Sequence, residues 1–559
     1  MLPGKKIILF QDIRCLSLVI TSVLFLAFFS FFTPRFMVND DVKMMMIVSG
    51  FLTGTPDEHM IFTNVIIGKT LKHLYSVSPD FNWYSSYLLA TYYISTIFLL
   101  YSLLSLKSSK YRVFLFVIGF IISEFYMLLY PTFTTASATA ALAGIFLLLT
   151  CSINRQSTAS IISGIFLLVL SGMIRPDSLY MLLVLALPLI LWISWEKKSL
   201  KLIFFLGIAI LIVFTTTLFN KFYYQQDKHW AYHFNHTKIQ LHQDPKFIYT
   251  DQTKPLFDKI DWSKIDYLMF KNWFLEDIEI YSNDKLLALT NGFPFRIYPS
   301  EYIDHFLRVF FNLKYYLICN SILFGLCWIL IPKSNRKYVF FSLVSSSFTI
   351  IYILLTYYLP PQGFVPIVFL ISFTSIYFAT DETLKSANYL KSLNFAGKIF
   401  SNKKAITSIF IIISCFWLWQ LQNKSMKNKI NQDSLTQLIK AISPQKDNLY
   451  LLWWPAFPYE YISPYSNLRE LDHFKIYPLG YFAHSPISHS IFKKYNIDNL
   501  FKAIYQKDNI LLMSSFSNLS LLQAFIKEHY DAEIYFVPLF EYYSRGKMGI
   551  YKALKNNNT

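Results

Sequence analysis

The feature that most constrains this chain is a series of apolar runs, each long enough to cross a bilayer. A helix needs about 20 apolar residues for that. With no water in the hydrocarbon, every backbone amide must be paired within the segment, so such a run folds as a helix. The runs lie at 15–33, 85–105, 113–130, 134–151, 158–174, 178–195, 202–219, 313–331, 338–358, 362–379 and 405–421. Only 15% of residues are charged, against about 25% in soluble domains, and the deficit is concentrated in these runs. The expected fold class is therefore an α-helical polytopic membrane protein of about eleven spans. The first run follows Lys5, Lys6 and Arg14. It is longer than a signal-peptide core and lacks a small-x-small cleavage site, so it reads as an uncleaved span.

Basic residues set the expected orientation. They gather in alternate short loops: Lys107, Lys110 and Arg112; Arg155; Lys197, Lys198 and Lys201; Lys333, Arg336 and Lys337; and Lys385, Lys391, Lys398, Lys403 and Lys404. Such loops stay cytoplasmic. The N-terminus is then cytoplasmic and the C-terminus outside, with large outer polar regions at 34–84, 220–312 and 422–559. The net charge of +17 follows from this topology. No compact basic stripe interleaved with aromatics is present, which argues against nucleic acid. Cys15, Cys151, Cys319, Cys327 and Cys415 all lie in or beside spans, so no disulfide framework or zinc spacing is readable.

Two domains are expected: a transmembrane domain over 1–421, carrying the loops 34–84 and 220–312, and an extracytoplasmic α/β domain over 422–559. In the latter, NLYLLWW, NILLMSS and AEIYFVPLF are β-prone, while SLTQLIKAI and LSLLQAFIKEHY have helical period. In the first outer loop, two apolar stretches flank the breaker-rich SGFLTGTPDE. They read as short helices on the membrane surface.

The chemistry-bearing residues lie on the outer side. Asn39-Asp40-Asp41 follows the first span within a few residues. Paired carboxylates at a membrane surface cost desolvation and repulsion, which a bound cation, a held proton or a polar substrate offsets. The plainer reading is an acidic loop start. In GMIRPDSLYM, Arg175 and Asp177 occupy an outer turn against the positive-inside trend. The guanidinium fork suits phosphate, or else Arg175 pairs with Asp177. His229, His233 and His236 recur at helical spacing. They could face zinc, but no carboxylate clearly completes the set, and a solvated helix face with aromatic packing is the expected reading. Asp57, Glu58, Trp273 and Asp277 complete the candidates, as polar and aromatic groups suited to a sugar.

This layout of a first span, an Asp-bearing outer loop, a large later loop and an appended outer domain resembles the GT-C superfamily of membrane glycosyltransferases. The general likeness is to protein O-mannosyltransferases and lipid A aminoarabinose transferases. It covers the architecture of residues 1–330 and the motif at Asp40-Asp41. The resemblance implies a polyprenyl-phosphate sugar donor, a glycan, lipid or protein acceptor, and a catalytic carboxylate at Asp40 or Asp41. It also favours a bacterial inner membrane. A divalent cation is a possible cofactor. Arg175, with Lys43 in reserve, is offered for the donor phosphate from its chemistry alone. The alternatives are a transporter or flippase, or a polymerase, of lipid-linked polysaccharide. A transporter would place ionisable groups at mid-membrane, where Glu124 is the main instance.

Overall fold

The computed structural model describes residues 12–106, 110–154, 157–241, 247–293, 299–356, 359–379, 403–442, 447–466, 474–543 and 547–556. Of the basic loop residues, Lys107, Arg155, Lys385, Lys391 and Lys398 lie outside the described residues.

Every predicted span falls on a helix. The first, α1 (Ile13–Phe31), leads to two short helices, α2 (Asn39–Ser49) and α3 (Val65–Val77). Gly50 ends α2 in the left-handed region at φ 76°, where a side chain would also strike the Thr55 backbone. Next come α4 (Trp83–Leu106) and α5 (Lys110–Gly119), which passes through a π turn at Phe120–Glu124 into α6 (Phe125–Leu129). The helices α7 (Phe133–Ile153), α8 (Thr158–Ile174), α9 (Pro176–Glu196) and α10 (Lys201–Gln225) follow. Among the described residues, eight helices are long and apolar enough to cross a membrane, or nine if the bent pair around residue 313 is one span. Of the others, α8 is apolar but shorter, at 17 residues.

The most enclosed helix of the bundle is α7. Its sequence, FTTASATAALAG, is dominated by small residues, which let neighbours approach closely. A Cβ on Gly144 would come within 2.9 Å of the Gly164 carbonyl on α8.

The long polar loop folds into α11 (Lys228–Leu241), α12 (Lys254–Asp258), α13 (Lys264–Lys271), α14 (Asn283–Gly292) and α15 (Pro299–Asn312). Three further bundle helices are α16 (Lys314–Leu330), α17 (Arg336–Thr356) and α18 (Pro361–Phe378). The axis bends by 76° between α15 and α16. Then α19 (Lys403–Ile442) runs unbroken for 40 residues, about 60 Å. It passes without a break through residue 421, where the sequence placed the end of the transmembrane domain.

The C-terminal domain is α/β. Its strands are β1 (Leu449–Leu452), β2 (Ile476–Pro478), β3 (Ile510–Ser515), β4 (Ile534–Tyr543) and β5 (Lys547–Lys555). Their order is β2-β1-β3-β5-β4, with β2, β1 and β3 parallel and β5 antiparallel to both neighbours. The helices α20 (Pro486–Lys494), α21 (Leu500–Gln506) and α22 (Phe516–Tyr530) complete it. One hydrophobic core unites this domain with the long loop, joining Trp262, Phe274 and Leu286 to Trp453, Phe501 and Phe525. Loop and domain together form a headpiece over one end of the bundle.

Candidate functional site

The site is built where a short strap, residues 32–38, leaves α1 and enters α2. Two neighbours hold the strap. On one side the Arg35 and Met37 amides donate to the carbonyls of Leu129 and Pro131 at 3.1 and 3.3 Å. On the other, α19 reaches it: the Thr33 amide donates to Ser425 Oγ at 2.7 Å, and Asn428 Nδ2 and Gln432 Nε2 donate to the carbonyls of Thr33 and Pro34 at 3.1 and 2.8 Å. This fixes where α2 begins, and hence where its first-turn acids, Asp40 and Asp41, stand.

The two acids differ sharply. Asp41 is fully buried. Its Oδ1 accepts from Tyr84 Oη and from the Phe133 amide, both at 2.9 Å, so it sits at the positive end of α7. Its Oδ2 is buried with no partner. Burial raises its carboxyl to about 7, against the lowering effect of the Phe133 hydrogen bond. Asp40 is half-buried, and its charge acts on Lys43, Tyr481 and Asp41.

Lys43 lies one turn further along α2. Its Nζ stands 4.1 Å from the ring centre of Tyr481 and 5.9 Å from that of Tyr459. Burial lowers its ammonium to about 8 although Asp40 pulls the other way. Both tyrosines belong to the C-terminal domain, in loops that follow β1 and β2. The carboxyl ends of the parallel strands β1 and β2 thus face α2, the side on which open α/β sheets bind ligands. The hydroxyls of Tyr459 and Tyr481 are buried without a partner.

Arg175 joins this group through α7. Its guanidinium stacks 4.8 Å over the Phe133 ring, and its Nη1 donates to Thr134 Oγ1 at 2.7 Å. The amide of Phe133 serves Asp41, so Arg175 and Asp41 occupy two sides of one helix start. The Phe133 ring stacks on Phe62 at 5.7 Å, and Phe62 packs on Tyr481 at 6.4 Å. Asp40, Asp41 and Lys43 on α2, and Arg175 far away in sequence at the start of α9, therefore lie around one aromatic group. Asp177 is largely exposed, with an oxygen 4.0 Å from Arg175 Nε.

The remaining candidates lie elsewhere. Glu58 accepts from Lys72 Nζ at 2.5 Å and Tyr223 Oη at 2.6 Å. Burial raises it, but these donors outweigh that and hold it at about 2. Asp57 Oδ1 bonds His59 Nδ1 at 2.6 Å, and the His59 ring stacks on Trp230. Asp57, Glu58 and His59 offer ligand atoms close enough to hold a metal ion, but the Lys72 ammonium already occupies Glu58. Asp277 accepts from Tyr530 Oη at 2.6 Å and from the amides of Glu279 and Ile280. Trp273 adopts φ 60°, and its carbonyl lies against Gly480. Both belong to the seam between long loop and domain.

His233 and His236 are buried, not solvated as a polar helix face would be, because α11 packs into the headpiece core. Their Nδ1 atoms meet the Ala483 carbonyl and Asn283 Oδ1, each at 2.9 Å. His229 instead faces His489. Sequence reasoning missed Tyr459 and Tyr481. Nothing in their local sequence separates them from the other tyrosines of an aromatic-rich chain.

No protein-family model and no curated protein matches the sequence. Among solved structures, ArnT from Cupriavidus metallidurans bound to undecaprenyl phosphate is similar at 9% identity and a TM-score of 0.48, over 96% of this chain and 97% of that one. The apo state of the same protein gives the same identity and shares, with a TM-score of 0.45.

Proposed function

We propose that the chain is a multi-pass glycosyltransferase of the GT-C type. It takes a sugar from a polyprenyl-phosphate donor and transfers it to a hydroxyl-bearing acceptor at the outer face of a bacterial inner membrane. The donor class is the one the sequence resemblance implies. The orientation, with the N-terminus cytoplasmic, follows from the basic short loops.

One observation carries the reading: two adjacent carboxylates are driven into unlike environments beside two cations, under a tyrosine-lined roof. Asp41 is the positioning residue, bound beneath α7 and held near neutrality. Asp40 is the base. It is partly accessible. It accepts the proton of the acceptor hydroxyl as the oxygen attacks the anomeric carbon. The sugar–phosphate bond breaks on the opposite face, so the anomeric centre inverts. Lys43 and Arg175 meet the charge that gathers on the departing phosphate. The acids at Asp40 and Asp41 also offer a place for a divalent cation.

The test is Asp40→Asn in the full chain, with surface glycans analysed in cells and the purified protein checked for an unchanged melting midpoint. The expected result is loss of the transferred sugar, with a rate reduction of about 100-fold or more. Wild-type glycans in cells carrying the variant would overturn the reading.

A further inference from the structure

A second gathering of positive charge lies on the other side of the strap. The Arg35 guanidinium is sandwiched between Tyr130 and Tyr461, at 4.8 and 5.0 Å from their ring centres. Its Nη1 donates to the Phe36 carbonyl at 2.7 Å, while its Nε is buried with no partner. Lys424, on α19, presents Nζ 5.9 Å from the Tyr126 ring and 6.0 Å from the same Tyr130 ring. Arg35 and the exposed Lys427 both stand close enough to repel Lys424. Among the described residues, no carboxylate pairs with any of the three.

Like charges crowded together without an acid cost energy, and tyrosine faces recover only part of it. A bound anion recovers the rest, and a guanidinium with a bare Nε suits phosphate. The surroundings select the kind of anion. The strap begins where α1 ends, and apolar side chains near it point outward: Leu26 and Phe31 on α1, Trp419 and Met426 on α19 are 67%, 70%, 58% and 50% exposed. The cations therefore stand at headgroup level, with hydrocarbon-facing surface on both helices beside them.

We propose that Arg35 and Lys424, with Lys427 at the mouth, form a binding site for the phosphate of a membrane lipid, separate from the Asp40–Lys43–Arg175 group. The two sites share one element. In the turn Tyr459–Tyr461 of the C-terminal domain, Tyr459 faces Lys43 and Tyr461 faces Arg35. A lipid phosphate at the second site would press on the turn that roofs the first. This link to catalysis rests on the transferase reading, whereas the binding site does not.

The test is lipid retention by the purified full chain, read by native mass spectrometry. Dioleoyl phosphatidic acid is the probe and dioleoylglycerol the uncharged control. Wild type and Asp40→Asn are expected to retain the phosphatidic acid equally and to release the diacylglycerol. The double variant Arg35→Gln, Lys424→Gln is expected to bind it at least about tenfold more weakly, as loss of charge-assisted bonds implies. Lys427→Gln, an exposed change that leaves the fold intact, is expected to weaken it by a smaller factor. Equal retention by the double variant, or by Lys427→Gln where the double variant does not fold, overturns the proposal. Displacement by millimolar inorganic phosphate overturns its lipid part, since a free anion would then suffice. Loss of transfer with binding intact in Asp40→Asn bears only on the base, so the two readings fail separately.

Discussion

Asp41 is a buried carboxyl and Glu276 a half-buried one, both raised to about 7 by desolvation, yet they belong to opposite kinds of seam. Glu276 lies where the long loop meets the C-terminal domain, and both its oxygens are used: Oε2 accepts from Tyr477 Oη at 2.8 Å and Oε1 from the Gly480 amide at 2.9 Å. Around it Trp453 Nε1 donates to the Asn272 carbonyl, His484 Nε2 to the Leu275 carbonyl, and Tyr530 to Asp277. Among the described residues there, the Nε2 atoms of His233 and His236 are left bare. Over α2, by contrast, Asp41 Oδ2 and the hydroxyls of Tyr459, Tyr481 and Tyr87 are all buried without partners. Folding alone does not select unsatisfied buried groups. The satisfied contacts hold the headpiece together, and the bare groups lie where the transferase reading puts its substrate.

The largest effect expected on this comparison comes from truncation. Asp41→Ala and Glu276→Ala each strand a backbone amide and a tyrosine hydroxyl, at about 1–3 kcal/mol per orphaned donor. Both should lower the melting midpoint, and similar losses would show that the two carboxyls anchor equally. Next is Gly480→Ala. Gly480 has φ 78°, and a Cβ there would meet the Trp273 carbonyl at 2.1 Å. The cost is about 2 kcal/mol or more, with Tyr481 displaced from Lys43 and activity lost alongside stability.

The isosteric amides separate the seams. Asp41→Asn keeps the acceptor for Phe133 and Tyr84 and removes a bare charged oxygen, so the midpoint above pH 7 should rise. Glu276→Gln turns one of two used acceptors into a donor and should lower it by about 1 kcal/mol. A fall for both would erase the distinction.

The pH dependence runs in opposite directions at Asp41 on α2 and at the histidines of the headpiece. Asp41 is raised from 3.8 to about 7. Its stabilising contribution is full below pH 3.8 and is lost as pH climbs through 7. His233, His236 and His484 are lowered by burial from 6.5 to about 4, 3 and 4. Theirs is full above pH 6.5 and is lost as pH falls through 3–4. Hydrogen exchange over 228–241 should therefore quicken below about pH 6, while that at 39–49 slows. Exchange moving together in both segments would contradict this. The smallest effect belongs to Tyr481→Phe. Its hydroxyl has no partner, so stability should change by no more than about 0.5 kcal/mol, and a reduced transfer rate at constant midpoint would mark contact with substrate.

The sequence alone determined the helical membrane class, the helical character of every apolar run, the two short helices of the first loop, and the strands at NLYLLWW, NILLMSS and AEIYFVPLF. Those features are local. Apolar length demands intrasegment hydrogen bonds in lipid, and breakers such as Gly50 act on their own backbone. The short strand β2 and strand β5 were not legible, because Ile476–Pro478 and KMGIYKALK carry no marked period-two pattern and gain their state from the strands they pair with. Adjacency in sequence made Asp40 and Asp41 a pair, but could not tell one from the other. That distinction depends on the Phe133 amide, 92 residues away, and on burial beneath α7. Likewise Arg175 could be named for its chemistry, while its place across Phe133 from Asp41, and the roof of Tyr459 and Tyr481, arise only when α7 and the C-terminal domain close over α2. Local sequence sets a residue's propensity and charge. Desolvation and partnership, which decide what the charge does, are set by chain segments that meet only in the folded molecule.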